Sequence, residues 1–380
     1  MLFAVTLTLA AAAAVSASPL EPRAKTAVLP LKHVVKASSI KAIVQKGQAR
    51  IRKVNGEVSA SVHVDAISSG SVTNEDVSYV APVVIGGKTW NLIVDTGSSN
   101  TWCGAQTSCE PTSTGKSTGG SVSVSYGSGS FSGTEYKDKV SFGGLSVAAQ
   151  SIGAASSASG FSGVDGIIGF GPVGLTSGTV STSTPQGSIS SEVLGVSFRP
   201  ESGSDDSDTN GELTLGGVDS SKYSGSITYF PTLTSGTASN YWGISVSGFT
   251  YGSTTLATSG SGIVDTGTTL IYIPTSAYNK FLSAAGGSTD SSSGLAAFTK
   301  KPTANFGIKF GSTTYTLTPA QYLIPTAQYT NFGLSSGKYY AWIFDGGSSG
   351  VNTIIGQKFL ENYYSVYDTT NSRIGFATAV

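Results

Sequence analysis

Apolar residues in this chain come in short runs, and Gly-rich stretches separate one run from the next. The runs are rich in Val, Ile and Tyr with Ser and Thr between them, and these residue types favour strands over helices. Two runs of this kind, residues 92–94 and 262–264, predict buried strands. The pattern therefore predicts a mainly β fold with many short strands and tight turns.

The first apolar run lies at the very start of the chain. Residues 2–15 are followed by the small-residue pattern Val15-Ser16-Ala17, which is typical of the cleavage site of a secretory signal peptide. The run is too short to cross a bilayer as a helix, and no later stretch is long and apolar enough to do so. We therefore expect residues 1–17 to be a signal peptide and the protein to be secreted and extracellular, with an acidic vacuole as the alternative.

Charge is distributed unevenly along the rest of the chain. Residues 18–70 hold nine Lys and Arg against three acidic residues, a net charge of +6, whereas residues 71–380 hold thirteen against nineteen, a net charge of −6. A basic segment can mask an acidic cleft, and the attraction fades when the carboxylates protonate at low pH. This favours a basic propeptide, with a solvated tail or a nucleic-acid-binding arm as the alternative.

The histidines and cysteines limit the possible chemistry. His33 and His63 both lie in the basic segment, so residues 71–380 contain none, and neither Ser-His-Asp catalysis nor a His-ligated metal is open to the mature chain. Cys103 and Cys109 are six positions apart and are predicted to close a small disulfide loop, since a zinc site would need further ligands nearby. We expect no metal and no other cofactor.

One short segment occurs twice. Residues 92–99 read Leu-Ile-Val-Asp-Thr-Gly-Ser-Ser, and residues 262–269 read Gly-Ile-Val-Asp-Thr-Gly-Thr-Thr. The two aspartates, Asp95 and Asp265, are 170 positions apart. A single Asp-Thr-Gly would be an ordinary turn, in which Asp accepts backbone N–H groups. The duplication with matching flanks indicates a pair of functional carboxylates.

Each copy has a later counterpart in the chain. Residues 165–169 read Asp-Gly-Ile-Ile-Gly, and residues 352–356 read Asn-Thr-Ile-Ile-Gly. An apolar pair and a glycine on a neighbouring strand would pack beside each Asp-Thr-Gly loop and hold it rigid, which a reactive carboxylate requires.

These motifs resemble those of the pepsin-like aspartic proteases, especially the secreted fungal enzymes of the polyporopepsin type. The resemblance covers nearly the whole chain from about residue 71, with a shorter echo at residues 28–32. It also rests on Asp-Thr-Gly-Ser-Ser-Asn-Thr-Trp at 95–102, Tyr-Gly-Ser-Gly-Ser-Phe-Ser-Gly at 126–133 and Ser-Val-Tyr-Asp-Thr-Thr-Asn at 365–371. It implies a bilobal acid protease fold, in which two related β-rich lobes surround a central cleft.

The resemblance implies that Asp95 and Asp265 form a catalytic dyad, and that Thr96 and Thr266 cross-brace the two loops. Two carboxylates held together cannot both ionise cheaply, so the pair keeps one proton over a wide pH range. The ionised partner can take a proton from water while the other polarises the scissile carbonyl. This predicts a secreted aspartic endopeptidase that cleaves extended polypeptide at acidic pH and is made as an inactive zymogen.

A β-hairpin flap over the cleft is implied as well. Tyr126 would lie on it, with Trp102 behind as a hydrogen-bonding partner. The chain departs from the vertebrate enzymes in that Cys103 directly follows Trp102, which affects the nearby substrate pocket but not the dyad. The other site residues would support the dyad or hold substrate backbone: Gly97, Gly127, Ser128, Gly267, Thr268 and Thr269.

Three other functions fit parts of the sequence. An inert pepsin-like binding protein or inhibitor would share the fold, a glycosidase would also use paired carboxylates, and a lectin-like β-sandwich would fit the composition. The intact Asp, Thr-Gly and Tyr motifs argue against the first of these. The other two give no reason for a duplicated Asp-Thr-Gly turn.

The predicted organisation has four parts: a signal peptide (1–17), a basic propeptide (18–70), an N-terminal catalytic lobe (71–237) and a C-terminal catalytic lobe (238–380). A basic side chain between Lys46 and Lys53 is expected to lie against the dyad, so that the propeptide acts as an intramolecular inhibitor. The other expected partners are polypeptide substrates. We expect no nucleic-acid or membrane partner and a monomeric protein.

Overall fold

The computed structural model describes residues 26–35, 40–57, 77–110, 112–127, 129–177, 189, 191–201 and 209–380. The predicted signal peptide, residues 1–17, lies outside these ranges, as do parts of the predicted propeptide and the flap residue Ser128.

Strands dominate the described residues, which confirms the prediction of a mainly β chain. Up to residue 215 the strands are β1 (Ala27–Val35), β2 (Val77–Ile85), β3 (Lys88–Asp95), β4 (Trp102–Cys103), β5 (Lys116–Ser125), β6 (Ser130–Phe142), β7 (Leu145–Ser159), β8 (Gly166–Gly169), β9 (Val193–Ser197) and β10 (Gly211–Leu215).

The remaining strands are β11 (Tyr223–Pro231), β12 (Gly243–Val246), β13 (Gly248–Tyr251), β14 (Thr254–Ala257), β15 (Gly260–Val264), β16 (Ile271–Ile273), β17 (Gly287–Thr289), β18 (Ala296–Phe298), β19 (Phe306–Phe310), β20 (Thr313–Leu317), β21 (Tyr339–Tyr340), β22 (Ile343–Asp345), β23 (Ile354–Ile355), β24 (Tyr363–Asp368) and β25 (Arg373–Ala379). The α-helices are short apart from the first two: α1 (Ile40–Val54), α2 (Thr275–Ala285), α3 (Pro319–Tyr322), α4 (Tyr329–Phe332) and α5 (Gln357–Leu360).

The largest sheet in the described part of the chain has the strand order β11-β25-β24-β9-β10-β1-β2-β3-β8-β4-β7-β6-β5. Smaller sheets with the orders β12-β15-β23-β16-β22, β14-β13-β19-β20 and β17-β18-β21 form most of the second half. Strand β1, from the predicted propeptide, lies inside the large sheet and is antiparallel to β10 and to β2. The basic segment is therefore folded into the body of the protein.

The two Asp-Thr-Gly segments and their counterparts form matching strand pairs. Strand β3 ends at Asp95 and runs parallel to β8, and β15 ends just before Asp265 and runs parallel to β23. The glycine that ends each counterpart lies under the loop. A Cβ on Gly169 would be 2.7 Å from the carbonyl oxygen of Ser98, and one on Gly356 would be 2.5 Å from that of Thr268. The prediction that each counterpart packs beside its loop is confirmed.

Helix α1 packs on the body through one face. Residues three and four positions apart share a face of a helix, and its buried residues follow this spacing: Ile40, Ile43, Val44, Gly47, Arg50, Ile51 and Val54. The apolar members join a cluster that contains Tyr272 and Phe344. Just after the helix, Asn55 donates to the carbonyl of Val351 at 3.1 Å and accepts from its N–H at 2.7 Å.

Candidate active site

Asp95 and Asp265 lie side by side on equivalent loops, and both are buried, with 4% and 0% of their surface exposed. In each loop the carboxylate accepts the N–H of the glycine two positions later, Gly97 or Gly267, at 2.9 Å. Each carboxylate also accepts a hydroxyl from the residue three positions later, which is Ser98 or Thr268. The two carboxyls thus have the same set of local donors.

Thr96 and Thr266 join the two loops. The N–H of Thr96 donates to Oγ1 of Thr266 at 2.9 Å, and the N–H of Thr266 donates to Oγ1 of Thr96 at 3.0 Å. Each hydroxyl also donates across the interface, to the carbonyl of Val264 or of Val94. Both threonines are fully buried, so these bonds fix the relative position of the loops, and the predicted cross-brace is present.

The loop glycines make room for the carboxyls. A Cβ on Gly267 would lie 2.4 Å from Oδ1 of Asp95, and one on Gly97 would lie 2.6 Å from Oδ1 of Asp265. Each carboxyl therefore rests directly against the loop that carries the other one. Only glycine permits this approach, because any side chain there would overlap the opposite carboxyl.

A basic side chain of helix α1 lies against both carboxyls. Nε of Arg50 donates to Oδ2 of Asp265 at 2.9 Å, and Nη2 donates to Oδ1 of Asp95 at 3.2 Å. The Arg50 side chain is only 8% exposed. The prediction that a basic residue between Lys46 and Lys53 reaches the dyad is confirmed. A buried guanidinium of this kind is stable only while its charge is paired.

The surroundings separate the pKa values of the two carboxyls. Burial raises the pKa of Asp95, but the Arg50 guanidinium, the Ser98 hydroxyl and a backbone N–H outweigh it, so the pKa is below its ordinary value. Burial also raises the pKa of Asp265; the Arg50 charge lowers it, but burial together with the charge of Asp95 keeps it above the ordinary value. Asp265 therefore takes up a proton before Asp95 does.

The predicted flap is a hairpin of β5 and β6, which pair antiparallel. Its tip is closed by the N–H of Tyr126, which donates to the carbonyl of Gly129 at 2.6 Å. The Tyr126 and Trp102 rings are 6.3 Å apart. The Trp102 indole is near enough to act on the pKa of the phenol, yet no hydrogen bond of ordinary geometry joins the two groups. Burial raises the pKa of Tyr126 well above its ordinary value, so its hydroxyl stays protonated.

Helix α1 also holds the flap. Lys53 donates from Nζ to the carbonyl of Ser125 and lies 4.8 Å from the centre of the Tyr126 ring. Burial and the nearby Arg50 charge lower the pKa of Lys53 to about 8. Gly127 meets the helix backbone directly, since a Cβ there would be 2.7 Å from the N atom of Arg50. The tip of the hairpin therefore lies directly against helix α1.

Little open space remains around the dyad. The cavity bordered by Arg50, Asp95, Tyr126 and Thr269 has a volume of about 30 Å³. A water needs about 10–15 Å³ on this measure, so the space has room for about two or three waters and for no peptide. Of the other predicted site residues, Gly127, Gly267 and Thr268 border the same cavity.

The sequence reasoning left three contributors out of the site. Arg50 was not singled out from its basic neighbours, although it shares the buried face of α1. Ser98 was not assigned a role, although it stands in the first loop where Thr268 stands in the second. Gln357, which is fully buried and donates from Nε2 to the carbonyl of Thr266 at 2.8 Å, is marked only by its position after the Ile-Ile-Gly counterpart.

Cys103 and Cys109 form a disulfide, as predicted. In the ranges that the structure describes, no group of three or more His, Cys, Asp or Glu residues is arranged to hold a metal ion. No helix in these ranges is both long and apolar enough to cross a membrane.

Comparison with known proteins agrees with this geometry. The sequence profile of the family described as "Eukaryotic aspartyl protease" matches residues 78–379. The chain belongs to this family. The protease is 48% identical over 334 residues to polyporopepsin of Irpex lacteus, with 82% of this chain and 97% of the relative covered. It is 33% identical to gastricsin of Cavia porcellus, with 80% of this chain and 81% of the relative covered.

A solved structure shows the same fold. The protease superimposes on the crystal structure of the aspartic proteinase from Irpex lacteus with a TM-score of 0.76 at 40% identity, with 93% of this chain and 98% of that chain covered. The bilobal, β-rich aspartic protease fold is thereby established. The protein is an aspartic-type peptidase that hydrolyses peptide bonds.

Proposed function

We propose that Asp95 and Asp265 are the catalytic dyad of this protease, and that they activate a water for attack on extended polypeptide. The observation that carries the proposal is the symmetry of the two carboxyls. Each accepts a glycine N–H and a hydroxyl from its own loop. Both loops are locked together through Thr96 and Thr266. Such an arrangement holds two carboxyls rigidly together in a site that water scarcely enters, which favours a shared proton.

The reaction needs one ionised and one protonated carboxyl. Asp95, which accepts the Gly97 N–H and the Ser98 hydroxyl and whose pKa is the lower while Arg50 is docked, takes a proton from the water as the water oxygen bonds to the scissile carbonyl carbon. Asp265 gives its proton to the carbonyl oxygen, so that a neutral diol forms. Asp95 then passes its proton to the amide nitrogen, a diol hydroxyl returns a proton to Asp265, and the C–N bond breaks to give an acid and an amine. The dyad ends in its starting state.

The same geometry supports synthesis as an inactive zymogen. With Arg50 on both carboxyls and Lys53 on the flap, the segment within residues 18–70 fills the cleft that a substrate would need. The propeptide therefore acts as an intramolecular inhibitor. Its affinity depends on ionised aspartates, because a protonated carboxyl no longer attracts the guanidinium.

This dependence supports the proposal that activation and activity occur at acidic pH. Asp95 has a lowered pKa in the docked state, so its contribution to docking is present above the ordinary Asp pKa and is lost as the pH falls through the lowered value. As the pH falls, Asp265, whose pKa is raised, is protonated before Asp95. The 2.9 Å Arg50–Asp265 pair therefore weakens first.

The remaining parts of the proposal rest on the sequence. Residues 1–17 direct secretion to the extracellular space, residues 18–70 are removed, and the mature chain acts as a monomer. The N-terminal lobe comprises residues 71–237, and the C-terminal lobe comprises residues 238–380.

The test is cleavage of denatured casein by the acid-treated precursor at acidic and at neutral pH. Wild type is compared with Asp95→Asn and Asp265→Asn, and a statine-type transition-state mimic is added in a parallel series. We expect acid-dependent cleavage that the mimic blocks and that both variants lose. A folded, correctly trimmed wild type without cleavage would overturn the proposal in favour of an inert binding protein.

A further inference from the structure

Strand β1, in the segment that we propose as the propeptide, buries a histidine in the body of the protein. His33 pairs with Tyr79 across the antiparallel β1–β2 ladder and is only 1% exposed. Its ring lies 4.8 Å from the Tyr79 ring, which stacks in turn on Phe198 at 3.7 Å. His33 is not among the residues that border the dyad cavity. This contact between β1 and the body is therefore separate from the one that Arg50 makes.

The hydrogen-bonding groups around this imidazole suit its neutral form. Within the part of the chain that the structure describes, neither ring nitrogen has a partner in hydrogen-bonding geometry. Oε1 of Glu201 lies 3.2 Å from Nδ1, and it already accepts from Asn210 at 2.7 Å. A protonated imidazole has two N–H donors. The donor on Nε2 would be buried without an acceptor, which is costly for a charged group.

The charges that face the ring come from two elements and act in opposite directions. The Glu201 carboxyl, when ionised, attracts an imidazolium, whereas the ammonium of Lys358 on α5 repels one. Lys358 is itself paired with Glu361 at 2.7 Å. Tyr79 is uncharged, because burial raises its pKa well above the ordinary value. The other charged residues on the adjoining segments are exposed or bind elsewhere: Lys32, and Arg199, which donates to the carbonyl of Val380.

The balance makes the docking of β1 sensitive to pH. Burial lowers the pKa of His33 to about 3, and the Lys358 charge adds to this. In a released segment the imidazole would take up a proton at its ordinary pKa of about 6.5. The contribution of His33 to docking is therefore complete above the ordinary pKa and is lost as the pH falls below it, by about tenfold per pH unit.

This range of pH differs from that of the contact on the dyad. The pKa of Asp95 is below its ordinary value, so the contact between Arg50 and Asp95 persists until the pH is below about 3.9. Strand β1 is thus weakened at milder acidity than that contact.

We propose that neutral His33 holds strand β1 in the sheet, and that its protonation releases the strand at mild acidity, before the contact between Arg50 and Asp95 is lost. The inference rests on the proposed zymogen function, because it assigns a second pH-sensitive contact to the same inhibitory segment. Release then proceeds in two steps, with β1 first and helix α1 after it.

The test measures hydrogen exchange of the β1 amides in the full-length precursor. All variants carry Asp95→Asn, so that the chain does not trim itself while Arg50 keeps its partner Asp265. Protection is compared with the intrinsic exchange rate between about pH 6.5 and pH 4.5, a range over which His33 should reduce it by about a hundredfold. In His33→Leu, which does not titrate, the slope of log protection against pH should be lower by about one.

Lys32→Gln is the matched control, because Lys32 is the exposed neighbour of His33 on the same strand, and it should keep the steep slope. His33→Phe is a second variant that does not titrate, and the melting temperature at neutral pH shows which variants are folded. An equal slope with and without His33 would overturn the proposal, and so would protection of β1 that does not fall with pH. The readout needs no cleavage, so a failure of the casein test would sink the proposed protease function without deciding this result.

Discussion

Arg50 and Asp265 are 215 positions apart in the chain, yet Nε of the arginine donates to Oδ2 of the aspartate at 2.9 Å in a buried contact. Burial lowers the pKa of Arg50, but the two dyad carboxylates outweigh it and raise the pKa above its ordinary value, so the side chain remains charged. The segment that we propose as the propeptide is thus anchored on the two groups that the proposed chemistry requires. A change that weakens this contact should therefore free helix α1 from the two carboxyls and so activate the enzyme.

Replacing Arg50 should therefore make the precursor activate more readily. In Arg50→Gln the charged hydrogen bonds are lost, and each such bond contributes about 1.5–3 kcal/mol. We expect activation at mildly acidic pH to be about tenfold faster or more, measured as the appearance of trimmed chain and of casein cleavage. Arg52→Gln is the control, because Arg52 lies on the exposed face of the same helix. Equal rates in the two variants would argue against Arg50 as the anchor.

The helix itself offers an independent prediction. Gly47 lies against Tyr272, and a Cβ at this position would be 1.8 Å from Oη and 2.4 Å from Cζ of the ring. In a free helix, alanine would be favoured over glycine by about 1 kcal/mol. Gly47→Ala should nevertheless weaken docking, because the helix must move off the ring.

The measurement is the pH at which half of the precursor is trimmed in a fixed time. That pH should rise for Gly47→Ala and stay unchanged for Gln48→Ala, the exposed neighbour. A fall for Gly47→Ala would show that helix propensity outweighs the contact with Tyr272.

The sequence predicts the centre of this site better than its surroundings. The duplicated Asp-Thr-Gly and its Ile-Ile-Gly counterpart are local patterns, so the dyad, the cross-brace and the supporting strands could be read from the chain. The docking of Arg50 depends on where α1 lies in three dimensions. Its spacing from Ile43 and Val54 nevertheless places it on the same buried face of α1, which would have favoured it over Lys46 and Lys53.

The cross-brace should contribute to both stability and catalysis. Thr96→Val keeps the shape of the side chain but removes a hydroxyl that accepts the N–H of Thr266 and donates to Val264. A buried N–H left without its acceptor costs about 1–3 kcal/mol. We expect a melting temperature lower by several degrees and a lower kcat, because the loops lose their fixed spacing.

Thr96→Ser is the control, because it keeps the hydroxyl and should retain most of the activity. Thr266→Val should behave as Thr96→Val does. Since the two residues share the same hydrogen bonds, the double variant should lose less than the sum of the single losses. Simple additivity in this cycle would contradict the cross-brace.

The matched hydroxyls of the two loops should control opposite ends of the pH profile. Ser98 donates to Asp95, and Thr268 donates to Asp265 at 2.7 Å. Each bond stabilises an ionised carboxylate and so lowers its pKa. In the mature enzyme, Ser98→Ala should raise the pKa of the ionised partner and move the acid limb of kcat/KM to higher pH. Thr268→Ala should raise the pKa of the protonated partner and move the alkaline limb to higher pH.

A hydrogen bond to a charged group contributes about 1.5 kcal/mol or more, so each limb should move by about one pH unit. Because the carboxyls titrate as a pair, both limbs respond to each change, and the decisive quantity is which limb moves further. Ser98→Thr keeps the hydroxyl and should leave the profile nearly unchanged. If Ser98→Ala and Thr268→Ala shifted the same limb by the same amount, the assignment of the lower pKa to Asp95 would be wrong.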